Sequence, residues 1–131
     1  VTTSSMAGLT GIFGQSVYCA TKFGVIGFSE ALSREVRRDG IRVLVLCPPN
    51  TRTPGFEEES RHKPAEVLAA EEKASTLTAD EVAEALLRAL HRRGGFLVVP
   101  GRDNQALALA MRHLPAVADR LLRRKPAPSV S

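Results

Sequence analysis

VYCATKFGVIGFSEALSREVRRDGIRVLVLCPPNTRT, residues 17–53, decides the fold. Its first two-thirds carry a helical period from Val17 to about Arg38. Phe23, Ile26, Gly27, Ala31, Leu32 and Val36 recur at steps of three and four and are expected to face the core. Ser16 stands where an N-cap belongs, and Gly40 follows the last turn, where Arg37 and Arg38 suit the negative end of the helix dipole. Gly24 and Gly27 each cost a helix about 1 kcal/mol relative to Ala, so close approach by another backbone or a ligand is expected there. Ile41–Leu46 is then short, apolar and rich in β-branched residues, and Pro48 ends it. Such a run fits a strand buried on both faces, as in parallel sheets.

The same alternation extends outward in both directions. Val1–Thr3 read as the end of a strand, and Ser4–Gln15 as a loop broken by Gly8, Gly11 and Gly14. Beyond the central strand, Asn50–Thr76 is polar and too long for a simple turn. It reads as a functional loop or lid (51–77), with one helix expected from Pro64 to Lys73. Thr78 and Glu81 have the spacing of a capping box ahead of a helix to about Arg92, with Val82, Ala85, Leu86, Ala89 and Leu90 on one face. Gly94-Gly95 ends that helix, and Phe96–Val99 reads as a second buried strand. A final amphipathic, basic helix is expected over 104–124, interrupted near Pro115, and residues 126–131 as a disordered tail. Strand alternates with helix throughout, which predicts α/β architecture: the C-terminal half of a doubly wound parallel-sheet domain over residues 1–125. Two complete strands cannot cover the apolar faces of these helices. The first residue is not Met, so the chain reads as a fragment.

Composition narrows the function classes. The 131 residues are 44% hydrophobic and 24% charged, ordinary for a folded soluble domain. No apolar run approaches the roughly 20 residues that span a bilayer, and the opening residues lack a secretory pattern. The net charge of +4 is accounted for by the segment from Arg112 to Lys125, not by a basic face. With one Tyr, no Trp and five scattered Phe, nothing suggests a nucleic-acid partner. Cys19 and Cys47 sit in apolar stretches and read as reduced packing residues, which fits a cytoplasmic location. His62, His91 and His113 lie far apart without companion ligands, so no metal is expected. Glu57, Glu58 and Glu59 read as a solvated face, and Phe56 either lines a pocket or caps a surface.

Tyr18 and Lys22 carry the clearest chemistry. Four residues apart on a helix, their side chains share a face. A phenol ordinarily titrates near 10, and a neighbouring ammonium favours its ionised form. A tyrosine so placed can give a proton to a carbonyl oxygen or take one from an alcohol. Ser5, on the preceding loop, can hydrogen-bond the same oxygen.

Ser4-Ser5-Met6-Ala7-Gly8, then Tyr18-x-x-x-Lys22 thirteen residues after Ser5, then Cys47-Pro48-Pro49-Asn50-Thr51-Arg52-Thr53 after a buried strand, together resemble the short-chain dehydrogenase/reductase family. The resemblance spans essentially the whole chain and is strongest over residues 1–55. It implies an oxidoreductase that interconverts a carbonyl and a secondary alcohol, with NAD or NADP as hydride carrier. Tyr18 is then the general acid/base, Lys22 bonds the nicotinamide ribose, and Ser5 rather than Ser4 orients the substrate. Pro48, Pro49, Asn50, Thr51 and Thr53 occupy the stretch that meets the nicotinamide. Pro49 departs from the family's usual Gly and has no N–H to offer.

The family's glycine-rich phosphate turn has no match in these 131 residues, so the chain alone is expected to be inactive. The resemblance also implies a homo-oligomer for the full-length protein, joined through the helix bearing Tyr18 and Lys22 and the helix before it, which these residues do not include. The substrate is a small carbonyl or alcohol compound, with a lipophilic one allowed for. Two other readings stay open: a non-catalytic fragment or interaction module lacking the dinucleotide cradle, and a membrane-surface role for the basic C-terminal helix, which we favour less than simple packing.

Overall fold

A computed structural model describes residues 1–61, 63, 65–72, 74–92, 95–114 and 116. Its centre is a three-stranded parallel sheet in the order β1 (Thr2–Thr3), β2 (Val45–Leu46), β5 (Leu97–Val98). Thr2 lies opposite Val45, and Val45 opposite Leu97. The strands are short, but their ladder continues at both ends. Thr2 N–H donates to Leu44 C=O, Ser4 N–H to Leu46 C=O, and Cys47 N–H to Val98 C=O.

The central strand divides its side chains between two layers, as the period of two requires. Val45 and Cys47 join Ile26, Val99 and Ala108 in one cluster, which puts helices α1 (Ser16–Glu35) and α5 (Arg102–His113) on one face. Leu44 and Leu46 join Val82 and Val98 on the other face, under α4 (Ala79–His91). Residues 43–47 are all buried, as the doubly covered strand read from IRVLVL requires, but the strand itself is only Val45–Leu46, and Ile41 and Arg42, at the start of the expected run, are exposed. Thr78 and Glu81 form the anticipated capping box: Glu81 N–H donates to Thr78 Oγ1, and Thr78 N–H to Glu81 Oε2. Those bonds hold the Glu81 carboxyl below its ordinary range.

Three local expectations need correction. Ser16 is the first residue of α1, not its cap; Gln15 takes the N-cap position, with no side-chain cap bond. The packed face of α1 is also rotated from the expected stripe. Cys19, Ile26 and Ser29 are buried, whereas Phe23, Gly27 and Ala31 are exposed. Hydroxyl contacts set this rotation: Ser29 Oγ lies 2.7 Å from Thr2 Oγ1, and Ser4 Oγ donates to Lys22 C=O at 2.8 Å. Finally, Gly24 and Gly27 meet nothing within 4 Å. The glycine that permits close approach is Gly8, where a Cβ would lie 2.5 Å from Ser4 Oγ and 2.8 Å from the Lys22 carbonyl oxygen.

The 50–78 excursion is more ordered than its composition suggested. It leaves the core as β3 (Asn50–Arg52), forms α2 (Pro54–Ser60) and α3 (Ala65–Glu71), and returns as β4 (Thr76–Thr78). β3 and β4 pair in parallel, Asn50 opposite Thr76, and so close the base of the lid. The expected helix over 64–73 corresponds to α3, and its end residues Pro64 and Lys73 lie outside the described residues. The C-terminal helix begins at Arg102, two residues before its expected start. Beyond Leu114 only residue 116 is described, so the expected break at Pro115, the rest of 104–124 and the 126–131 tail lie outside the described residues. Among the described residues, no helix is long and apolar enough to cross a membrane.

Two measurements test this packing. Gly8→Ala is expected to cost about 1–3 kcal/mol in urea denaturation through overpacking, whereas Gly27→Ala, in open space, gains about 0.5–1 kcal/mol. Burial pushes the Cys47 thiol from 9.0 up to about 11, against smaller opposing contributions from the Ser4 hydroxyl, the Ser5 backbone and the Lys22 charge. The folded chain therefore holds this proton more tightly than the unfolded one. The resulting stability is whole below pH 9 and is lost as pH rises towards 11, by up to about 1.4 kcal/mol per pH unit. Denaturation midpoints of Cys47→Ala should lack this part of the alkaline decline.

Candidate active site

Ligands of open parallel sheets bind beyond the carboxyl ends of the strands. Here the chain beyond β1 supplies Ser4 and Ser5, and the chain beyond β2 supplies Cys47, Pro48 and Pro49. Met6 N–H donates to Pro48 C=O at 3.1 Å, which joins the two crossings. The bond from Ser4 Oγ to Lys22 C=O joins the first of them to α1.

Ser4 and Ser5 divide the work. Ser4 is 3% exposed and spends its hydroxyl proton on the α1 backbone. Ser5 is half-buried and caps the 3₁₀ turn Met6–Gly8, its oxygen accepting from Ala7 N–H at 3.2 Å. That bond uses an acceptor position and leaves the Ser5 proton available to a ligand oxygen.

Tyr18 and Lys22 meet on the outer side of the first turns of α1. Tyr18 is 41% exposed, and Lys22 Nζ lies 5.4 Å from the centre of its ring, within cation–π range. Thr21 Oγ1 donates to Tyr18 C=O at 2.7 Å and stays clear of the phenol oxygen.

The stretch after β2 is committed more to structure than expected. Thr51 Oγ1 donates to Pro49 C=O at 3.0 Å, and Asn50 Nδ2 to Glu71 C=O at 3.4 Å. Thr53 is the N-cap of α2, accepting from Phe56 N–H at 3.1 Å with Pro54 in the first turn behind it. Its hydroxyl proton remains free for a second partner. Pro48 and Pro49 are half-buried. Glu57, Glu58 and Glu59 are exposed, and Glu58 pairs with Arg61.

Sequence reasoning missed the junction of lid and helix. Lys63 and Glu71 pair at 2.8 Å, Phe56 lies under the Lys63 ammonium at 4.8 Å, and Gln15 reaches Glu71 at 3.4 Å. Eight residues separate the pair, across a turn and a helix, and no periodicity announces such a contact. Both cysteines are free and buried; Cys19 Sγ accepts from Ile12 N–H. Among the described residues, no three of His, Cys, Asp and Glu cluster as metal ligands do.

Comparison with known proteins bears on the fold. Residues 1–64 match the sequence profile of the short chain dehydrogenases. Over 85 residues the chain is 39% identical to a 3-ketodihydrosphingosine reductase of Bos taurus, covering 65% of this chain and 26% of that protein. A short chain dehydrogenase of Burkholderia cenocepacia in complex with NADP shares the fold, with a TM-score of 0.72 over 94% of this chain and 46% of the other, at 18% identity. A short chain dehydrogenase/reductase of Burkholderia phymatum in complex with NAD is 25% identical, with a TM-score of 0.64 over 98% of this chain and 50% of the other. The chain thus spans about a quarter of the reductase's length and about half of each solved structure. The arrangement is part of a Rossmann-like domain, and its first 64 residues are similar to the short chain dehydrogenases.

Proposed function

We propose that these residues form the catalytic half of an NAD(P)-dependent oxidoreductase that interconverts a ketone and a secondary alcohol. The observation that carries this reading is the pairing of Tyr18 with Lys22 beside a serine loop tied to the same helix, at the carboxyl ends of parallel strands. In reduction the Tyr18 hydroxyl gives its proton to the carbonyl oxygen, and in oxidation it takes the proton from the alcohol. The Ser5 hydroxyl donates a hydrogen bond to the same oxygen and stabilises its developing charge. The Lys22 ammonium balances negative charge on the phenol oxygen and bonds the ribose.

The donor set fits the nicotinamide end of a dinucleotide. The exposed Tyr18 and half-buried Lys22 flank the sheet end, and Thr53 retains a free proton beyond β2. Pro48, Pro49, Asn50 and Thr51 would form the adjoining wall. When bound, the nicotinamide supplies or accepts the hydride. The phosphates find no glycine-rich turn among these residues. Likeness to a 3-ketodihydrosphingosine reductase favours a lipophilic keto substrate over a small polar one. The same likeness favours the enzyme over a non-catalytic interaction module. The exposed side of α1, with Val17, Phe28 and the open Gly24 and Gly27, is where we place the contact between subunits of a homo-oligomer. Two buried free thiols suit a reducing, cytoplasmic setting.

In the enzyme bearing this chain, Tyr18→Phe should lower turnover by roughly 10²–10⁴-fold with an unchanged circular dichroism spectrum. Wild-type rates in that variant would remove Tyr18 from the acid/base role. Titrating the 131-residue chain with NADH and NADPH, following nicotinamide fluorescence, should show no saturable binding. Saturation would mean that these residues hold the phosphates by a route other than a glycine-rich turn.

A further inference from the structure

Lys63 and Glu71 form the most enclosed ion pair among the described residues, with side chains 11% and 15% exposed. Lys63 Nζ lies 2.8 Å from Glu71 Oε1, 3.4 Å from Glu59 Oε1 and 4.8 Å from the centre of the Phe56 ring. Two charges withdrawn from water are tolerated only when well paired, and losing either one strands the other. Glu71 is also the hub of the surrounding contacts. Its Oε1 accepts from Gln15 Nε2, and its backbone carbonyl from Asn50 Nδ2, both at 3.4 Å. Gln15 is the N-cap of α1, three residues before Tyr18, and Asn50 opens β3. One residue thus touches the turn after α2, the start of the Tyr18 helix and the base of the lid. Its second oxygen, Oε2, is buried and has no hydrogen-bond partner among the described residues.

We propose that Glu71 is a positioning residue. With Lys63 it latches α2 and α3 onto the N-terminal end of α1. The latch sets how the lid stands over the face that carries Tyr18 and Lys22. Its importance for substrate rests on our reading of that pair, whereas the latch itself does not.

Hydrogen–deuterium exchange on the protein that bears this chain tests it directly. In Glu71→Gln and Lys63→Met, amides of 55–60 and 66–72 should exchange at least about tenfold faster, while those of 82–90 in α4 keep their protection. Lys63→Arg keeps the charge and should restore protection. Gln15→Ala strands no charge and should speed exchange a few-fold at the start of α1 and the end of α3. Unchanged lid exchange in both Glu71→Gln and Lys63→Met overturns the latch. Should those variants lose protection in α4 as well, Gln15→Ala decides: a local increase supports the latch, and none overturns it.

In the enzyme bearing this chain, Glu71→Gln should raise KM several-fold more than it lowers kcat. A merely destabilised protein would instead lose kcat at constant KM. An inactive Tyr18 site with lid exchange behaving as described would overturn the catalytic reading and leave the latch standing.

Discussion

Everything at the site depends on how closely α1 lies against the loop that follows β1. Gly8 leaves no room for a methyl group between Ser4 and the Lys22 carbonyl, and the Ser4 hydroxyl closes that gap with a hydrogen bond. Further along the helix, Ser29 and Thr2 make the same kind of contact. Small and hydroxylated residues replace large apolar ones along this seam, so the helix sits near the strand with a fixed rotation. That rotation turns Tyr18 and Lys22 outward to the open sheet end and leaves Phe23 and Phe28 on the surface.

The same closeness explains the division between the two serines. Ser4 is enclosed and serves the seam, whereas Ser5, one residue further, is half-exposed and has a proton to offer. Thr53 behaves similarly. Its oxygen starts α2, and its proton is left over. Structural and chemical duties are combined in single hydroxyl groups, because a hydroxyl can accept one bond while donating another.

Much of this was legible in the sequence. IRVLVL announced a strand covered on both faces, and Thr78 with Glu81 announced a helix start, because burial and capping leave local patterns. The Tyr18–Lys22 pair was legible for the same reason: both residues belong to one helix. The rotation of α1 was not. Its apolar residues lie all round the helix, and the choice of face rests on hydroxyl contacts with residues about 18 to 27 positions away. The β3–β4 pair was also hidden. Asn-Thr-Arg and Thr-Leu-Thr are short and polar, and they pair across more than twenty residues. The Lys63–Glu71 contact spans eight residues without a periodic signal and was hidden as well.

The β3–β4 pair also bears on how such a lid can diverge. Because Asn50–Arg52 and Thr76–Thr78 hold each other, the chain between them begins and ends at one fixed place on the core. Its length is then nearly decoupled from the sheet: doubling a closed loop adds only about 0.6 kcal/mol of closure entropy. Insertions and deletions between residues 54 and 75 that keep Glu71 against Gln15 can accumulate over evolutionary time without moving the central strands. A single sheet-and-helix frame can in this way carry lids of different sizes while its central strands stay where they are.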